Sequence, residues 1–186
     1  MVSERQKEKA YQAIMFFCDH TSICYKKKLY KLLYILDFEH FEQTGRSVTG
    51  YDYFAWKMGP VPTELHEAIE NEDAELLKHF DIIRESIGEF EGLKLERKDV
   101  FDERYFSDRE LELMKNISDR FYQATGNEME AYTHREGTPW HTVWEKEGRK
   151  QKEIPYSYQL AHLSDIERDV ILDIVEERKA VLENYT

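Results

Sequence analysis

Histidine and glutamate side chains at helical spacing are the residues of this sequence best suited to chemistry. Two pairs, His66 with Glu70 and His141 with Glu145, are four residues apart, and a third candidate pair, His134 with Glu136, lies just ahead of Pro139 and Trp140. Residues four apart share one face of a helix, where an imidazole and a carboxylate can bind a metal ion or exchange a proton. A zinc site needs a third protein ligand, and the sequence offers none beside these pairs. With 38 acidic residues in the chain, such pairs also arise by chance, so we predict surface contacts or hydrogen-bonded histidines, with no metal and no cofactor.

Known catalytic motifs give no stronger signal. The sequence contains no glycine-rich phosphate loop ending in Gly-Lys-Ser/Thr, no Gly-x-Ser-x-Gly nucleophile turn and no His-Glu-x-x-His zinc motif. A metal-dependent hydrolase that uses His134, Glu136 and His141 is the enzymatic alternative. The stronger expectation is a protein that is not an enzyme.

The charge distribution favours a protein partner over nucleic acid. The net charge is −12, whereas affinity for nucleic acid comes largely from neutralising phosphates. One basic run, Lys26-Lys27-Lys28 with Lys31 a turn further on, is interpreted as a solvated helix face rather than a phosphate-binding patch. Acidic residues are concentrated between positions 63 and 112, and this surface would attract a basic partner.

Cysteine usage and the lack of long apolar stretches predict a cytoplasmic protein. Cys18 and Cys24 are the two cysteines of the chain, and they are expected to be reduced, buried thiols. The first residues lack the apolar core of a secretory signal. No stretch approaches the roughly 18 continuous apolar residues of a membrane span, so no membrane association is expected.

The spacing of apolar residues predicts one mainly α-helical domain of the α+β class over residues 1–186. Helices are expected over residues 4–18, 25–44, a short segment from Pro62, 107–121, 127–134, 138–148 and 164–184. A small antiparallel hairpin is expected over residues 80–87 and 92–98. Such a hairpin is too small to fold alone, so it should pack on the helices.

Capping residues and apolar stripes define the ends and faces of these helices. Ser3 should cap the first helix, and Gly45 should end the second in the left-handed conformation. Ser107 with Glu110 has the spacing of a capping box. The second helix carries the stripe Leu29, Leu32, Leu33 and Leu36. The last helix carries the stripe Ile166, Val170, Ile174 and Val181, widened by Ile171, Leu172, Val175 and Leu182.

Residues 48–56 are rich in β-branched and aromatic side chains, and they predict an extended segment. Pro60 and Pro62 should end this segment, because proline cannot sit in a central strand or a helix interior. Pro62 can instead open a short helix.

Seven blocks between residues 26 and 156 resemble, in the same order, the signature of the Panacea domain. This is the SocA-like family of antitoxins, which is also met as phage-associated proteins. The blocks are residues 31–40, 44–50, 53–56, 59–62, 106–110, 134–140 and 154–156. The helix from residue 164 to 186 lies beyond them. The resemblance implies a single, mostly helical domain that neutralises a protein toxin of a toxin–antitoxin system by direct contact.

The physical character of the motif residues favours scaffolding over chemistry. They comprise Lys31, Leu32, Leu33, Tyr34, Asp37, Thr49, Gly50, Gly59, Pro60, Val61, Pro62, Ser107, Glu110 and Pro139. Most are apolar, or are the glycine and proline residues that restrict turns. We therefore expect them to support the fold.

The candidate partner-binding residues lie in or beside these motif blocks. They are Tyr51, Tyr53, Trp56, Glu67, Glu70, Glu72, His134 and Trp140. We expect the first three to form an exposed aromatic patch rimmed by the acidic residues. For His134 a structural hydrogen bond is the stronger expectation, and for Trp140 a buried anchor.

The alternative function is that of a phage or mobile-element interaction protein with another partner, including an adaptor that delivers a toxin to an AAA+ protease. Self-association is left open.

Overall fold

A computed structural model describes residues 4–88 and 90–183 of the chain. It is 60% helical, with two small antiparallel sheets, so the predicted fold class is confirmed. The helices are α1 Glu4–His20, α2 Lys26–Thr44, α3 Thr63–Glu70, α4 Leu76–His79, α5 Asp108–Arg120, α6 Gly126–Thr133, α7 Pro139–His141 and α8 Asp165–Glu183. The strands are β1 Tyr53–Trp56, β2 Gly59–Pro62, β3 Phe80–Ile87 and β4 Phe90–Arg97. Ser3 and Asn184 lie outside the described residues, as does the side chain of Leu182.

Helix α2 runs through the centre of the fold, in contact with α1, α5, α6, α8, β2 and β4. The sequence predicted one buried stripe on this helix, but every side chain from Lys28 to Phe38 is buried. Gly45 ends α2 with φ of 67°, and its amide donates to the carbonyl oxygen of Phe41 at 2.8 Å, as the sequence predicted.

Strands β1 and β2 form an antiparallel hairpin in which Tyr53 pairs with Pro62 and Trp56 with Gly59. The sequence predicted the extended character of β1 but not the second strand. Residues 151–154 pair with the other edge of β1. The Ala55 amide donates to a carbonyl oxygen of this segment, and the Ile154 amide donates to the carbonyl oxygen of Tyr53. Strand β1 is therefore central, and the prolines lie in the outer strand, where their missing amides cost least.

The hairpin of β3 and β4 is confirmed close to its predicted position. Phe80 pairs with Arg97, and the ladder runs to Ile87 opposite Phe90. Phe80, Leu93 and Leu95 are buried, and β4 contacts both α1 and α2. No helix in residues 4–88 and 90–183 is both long and apolar enough to cross a membrane.

The last helix departs from the usual pattern of an amphipathic helix. The side chains of its apolar stripe are exposed: Ile166, Val170, Ile174 and Val181. Helix α8 instead turns Val175 toward the end of α2, where a Cβ on Gly45 would lie 3.0 Å from Val175 Cγ2, 3.4 Å from the Ile171 carbonyl oxygen and 3.5 Å from Ile174 Cγ2. An apolar face of α8 thus stays uncovered within the described part of the chain.

Candidate protein-binding surface

Asp37 of α2 is the centre of a buried hydrogen-bond cluster that fixes the loop between α2 and β1. Its Oδ1 accepts from the amides of Val48 and Thr49 at 2.7 and 2.8 Å. Its Oδ2 accepts from the Tyr53 hydroxyl at 2.7 Å and from the Thr49 hydroxyl. Burial raises the pKa of Asp37 to about 6, although the four hydrogen bonds act to lower it. This carboxyl group holds the fold and has no access to a partner, since it is fully buried.

Lys31 lies six residues earlier on α2, and its amine is buried against the β1–β2 hairpin. Its Nζ donates to the carbonyl oxygen of Pro60 at 3.1 Å. Gly59 adopts φ of 105°, and a Cβ there would lie 2.5 Å from Lys31 Cε and 3.2 Å from Thr133 Oγ1. The glycine of the motif is therefore needed both for its backbone angle and for the close approach of the lysine. Burial lowers the pKa of Lys31 to about 7, against attraction from nearby Glu130.

The buried amine of Lys31 makes the stability of the protein depend on pH. In the unfolded chain a lysine keeps its proton up to about pH 10.4, so between pH 7 and 9 the unfolded state binds more protons than the folded state. The free energy of unfolding should therefore rise with pH across this window, by up to ~1.4 kcal/mol per pH unit. Lys31→Met should remove this contribution. Urea unfolding of both proteins at pH 7, 8 and 9 measures it.

Lys28, whose pKa burial also lowers, is present in both proteins, so its contribution cancels in the comparison. A difference in unfolding free energy between wild type and Lys31→Met that stays constant from pH 7 to 9 would contradict the assignment.

Trp140 joins α7 to the β1–β2 hairpin. Its side chain is 2% exposed, and its Nε1 donates to the carbonyl oxygen of Trp56 at 2.9 Å. The ring of His134 stacks on it in parallel, with centroids 3.6 Å apart, and the ring of Trp144 stacks at 5.5 Å. The buried Nε2 of His134 has no hydrogen-bond partner among the described residues, so this nitrogen does not make the expected structural hydrogen bond. His134 contributes by stacking instead.

Glu110 ties α5 to α1. It accepts from the Ser107 amide at 2.8 Å, and the reciprocal bond from its own amide to the Ser107 hydroxyl completes the predicted capping box. Its other oxygen receives the Lys9 amine at 2.6 Å. The remaining motif residues are buried or lie in a turn: Leu32, Leu33, Tyr34, Pro60, Val61, Pro62 and Pro139 are buried, and Gly50 is a turn residue with φ of 80°.

The predicted exposed aromatic patch is wrong for two of its three members. Tyr51 and Tyr53 are 6% and 0% exposed. Side chains alternate across a strand, so odd-numbered positions of β1 face the core. Trp56 is three residues from Tyr53 and therefore lies on the opposite face. It is half-buried and contacts the ring of His66 edge-on, with centroids 4.9 Å apart.

The acidic side chains expected around this patch are exposed on and after α3. Glu67, Glu70 and Glu72 all face solvent. The carboxylate of Glu70 receives the Lys26 amine at 2.6 Å, and this contact lowers its pKa. Glu72 Oε1 lies 3.7 Å from Arg84 Nη2. Of the predicted binding residues, these three glutamates are exposed and Trp56 and His134 are half-buried, whereas Tyr51, Tyr53 and Trp140 are buried.

The basic run of α2 is neither a phosphate-binding patch nor a solvated face. Its amines have partners within the protein: Lys26 has Glu70, Lys27 has Glu130, Lys28 has the carbonyl oxygens of Ser22 and Tyr122, and Lys31 has that of Pro60. Lys28 and Lys31 are each 1% exposed. Two lysines of the central helix are thus buried by the elements that surround it.

The three predicted His–Glu pairs do not assemble a metal site among the described residues. His66 contacts the Tyr30 hydroxyl at 3.3 Å, and Glu70 is engaged with Lys26. In the described ranges, the group with metal-like spacing is instead Glu8, Glu75 and His79. Its ligand atoms already have partners within the protein, since Lys78 lies 2.5 Å from Glu75 and the two ring nitrogens of His79 face Glu8 and Asp99 at 3.2 and 2.7 Å.

Comparison with known protein families identifies the class as antitoxin. A family model described as "Antitoxin SocA-like, Panacea domain" matches residues 29–141. The chain belongs to this family, since the match covers more than half of its 186 residues, and the resemblance noted from the motif blocks is confirmed. No curated protein and no solved structure matches the chain. Family membership supports an antitoxin-type, non-enzymatic role.

Proposed function

We propose that this protein is an antitoxin that neutralises a cognate protein toxin by direct contact in the cytoplasm. The observation that carries the proposal is the family match itself, which spans the part of the chain where the polar motif side chains serve the fold. Asp37, Lys31, Glu110 and Trp140 are all buried and engaged in hydrogen bonds. The motif thus supports a rigid scaffold, and a partner would meet the surface around it.

Co-expression with the product of the adjacent reading frame tests this function. The adjacent product alone should stop growth, co-expression should restore it, and the two chains should purify together. The two purified chains should also form a complex without further components, which separates direct neutralisation from delivery to an AAA+ protease. A chain that fails to relieve a toxic neighbour, or relieves it only in the presence of a protease, would overturn the proposal.

Glu67, Glu70 and Glu72 form an acidic surface on and after α3, which we call the α3 surface, and it should accelerate association with a basic toxin. Reversing two exposed charges with Glu67→Lys and Glu72→Lys should slow association by about 3- to 10-fold at low ionic strength, because electrostatic steering acts mainly on the encounter rate. The effect should shrink as salt is added. Stopped-flow or biolayer measurements of the association rate at several salt concentrations measure it.

Glu70 is kept unchanged in this variant, because its ion pair with Lys26 joins α3 to α2. The matched control is Glu112→Lys with Asp119→Lys, which changes the net charge equally on the exposed face of α5. If both variants slow association to the same extent, the change in net charge causes the effect, and the α3 surface has no particular role.

A further inference from the structure

Helix α8 presents a ridge of exposed apolar side chains, which we call the α8 ridge. It consists of Ile166, Val170, Ile174 and Val181, which are 78%, 53%, 38% and 54% exposed. Ile166, Val170 and Ile174 stand at i, i+4 and i+8 and therefore lie in one row on the helix, and Val181 lies on the same face two turns further on. Single exposed apolar residues are common, but a row of four on one helix marks an interaction surface.

The opposite side of α8 is already occupied. Ile171 and Val175 are half-buried near Gly45 at the end of α2, and α8 also contacts the 3-10 turn Tyr156–His162. This attachment fixes the helix with Ile166 and Val170 turned away from the core, while Ile174 lies at the border of the ridge, 3.5 Å through its Cγ2 from a Cβ placed on Gly45. The capping box that Ser164 and Glu167 form at its start also holds the helix without a partner.

The surroundings of the ridge indicate the chemistry of its partner. Asp165, Asp169 and Asp173 follow one another at four-residue intervals, and all three are exposed. At 100° per residue this row lies directly beside the ridge, and Glu177 lies within the ridge itself. An apolar strip bordered by carboxylates is complementary to an apolar segment bordered by lysines or arginines. The same carboxylates oppose a second copy of this chain, as does its net charge of −12.

We propose that the α8 ridge is the docking surface for a basic, amphipathic segment of the cognate toxin. This inference rests on the proposed antitoxin function and deepens it by assigning the contact. The ridge lies outside the residues 29–141 that match the family model. The matched region then supplies the scaffold, and α8 supplies the contact that is specific to this chain. The charge of the α3 surface then raises the association rate, and burial of the ridge slows dissociation of the complex.

The experiment uses the full chain and the toxin that the wild-type chain neutralises. Ile166→Lys with Val170→Lys places two charges in the most exposed part of the ridge. The control, Ile23→Lys with Val100→Lys, makes the same change at side chains that are 69% and 80% exposed elsewhere. Loss of an interface anchor of about 2 kcal/mol weakens binding about 30-fold, so the ridge variant should bind at least 30-fold more weakly, mainly through faster dissociation. The control should bind like wild type.

Further measurements separate the possible outcomes. Circular dichroism and thermal unfolding show whether the ridge variant is folded; if it is not, Ile166→Ser with Val170→Ser replaces it. A second variant, Asp169→Lys with Asp173→Lys, should also weaken binding, and more so at low salt. A folded ridge variant that binds toxin like wild type would overturn the inference while leaving the antitoxin function intact. The inference would equally fail if the wild-type chain dimerised in sedimentation and the ridge variant became monomeric, because a second copy would then cover the ridge.

Discussion

Asp37→Ala should lower the free energy of unfolding by about 3–5 kcal/mol, a large part of the stability of a domain of this size. The substitution removes the single acceptor of four donors in a fully buried site: the amides of Val48 and Thr49 and the hydroxyls of Thr49 and Tyr53. Each donor left without a partner in the interior loses its hydration without compensation. Urea unfolding followed by tryptophan fluorescence measures the loss.

Two further variants test the reason for this loss. Asp37→Asn keeps one oxygen for the two amides, and the hydroxyls of Thr49 and Tyr53 can turn to accept from its amide group, so it should cost less than Asp37→Ala. Asp52→Ala removes an exposed carboxylate from the same segment and should change stability by less than about 0.5 kcal/mol. If Asp37→Ala were no more harmful than Asp52→Ala, the cluster would not hold the loop.

The helix ends could be predicted from sequence because their determinants are local. Gly45 and the Ser107–Glu110 capping box each act within a few residues, and the structure has both as predicted. The outer strand β2 was not predicted, because it contains prolines and can form only at the edge of a sheet. Whether residues 59–62 lie at an edge depends on which segment pairs with the other side of β1. That information comes from the 151–154 segment, which binds the other edge of β1 from about a hundred residues away.

The burial of Lys28 and Lys31 shows where local reasoning was incomplete. Lysine is normally exposed, and a run of lysines predicts a solvated face. The sequence did hold a contrary signal, since residues 29–36 apart from Lys31 are apolar or aromatic on every side of the helix. A helix that is apolar all round is a buried helix, and its lysines must then find partners inside. The carbonyl oxygens of Ser22, Tyr122 and Pro60 serve this purpose.

The candidate surface was predicted only in part for a related reason. An apolar stripe on a helix indicates a face that avoids water, but not whether the core or a partner covers it. On α8, Val175 packs against the end of α2 and Ile171 is half-buried, whereas Ile166 and Val170 stay exposed. In β1 the separation of three residues between Tyr53 and Trp56 already placed them on opposite faces, so the strand period alone would have removed Tyr53 from an exposed patch.

Trp140→Ala should destabilise the protein by about 3–5 kcal/mol, because it empties a buried indole site and leaves the Trp56 carbonyl oxygen without its donor. The ring also carries the stacking of His134 on one side and Trp144 on the other. Trp144→Ala is the matched control, since that ring is only half-buried and should cost clearly less. Thermal and urea unfolding of both variants measure the difference.

A second substitution at Trp140 tests whether this side chain is a structural anchor or a contact to the partner. Trp140→Phe keeps most of the ring volume and the stacking surface but loses the hydrogen bond to Trp56, so it should fold with a smaller loss of stability. Toxin affinity of the folded Trp140→Phe protein should equal that of wild type, because the side chain is 2% exposed. Antitoxin activity in cells should then follow the amount of folded protein in the Trp140 variants, whereas in the α8 ridge variants it should fall without any change in stability. A folded Trp140→Phe protein with weakened toxin binding would place the partner at α7 and not at α8.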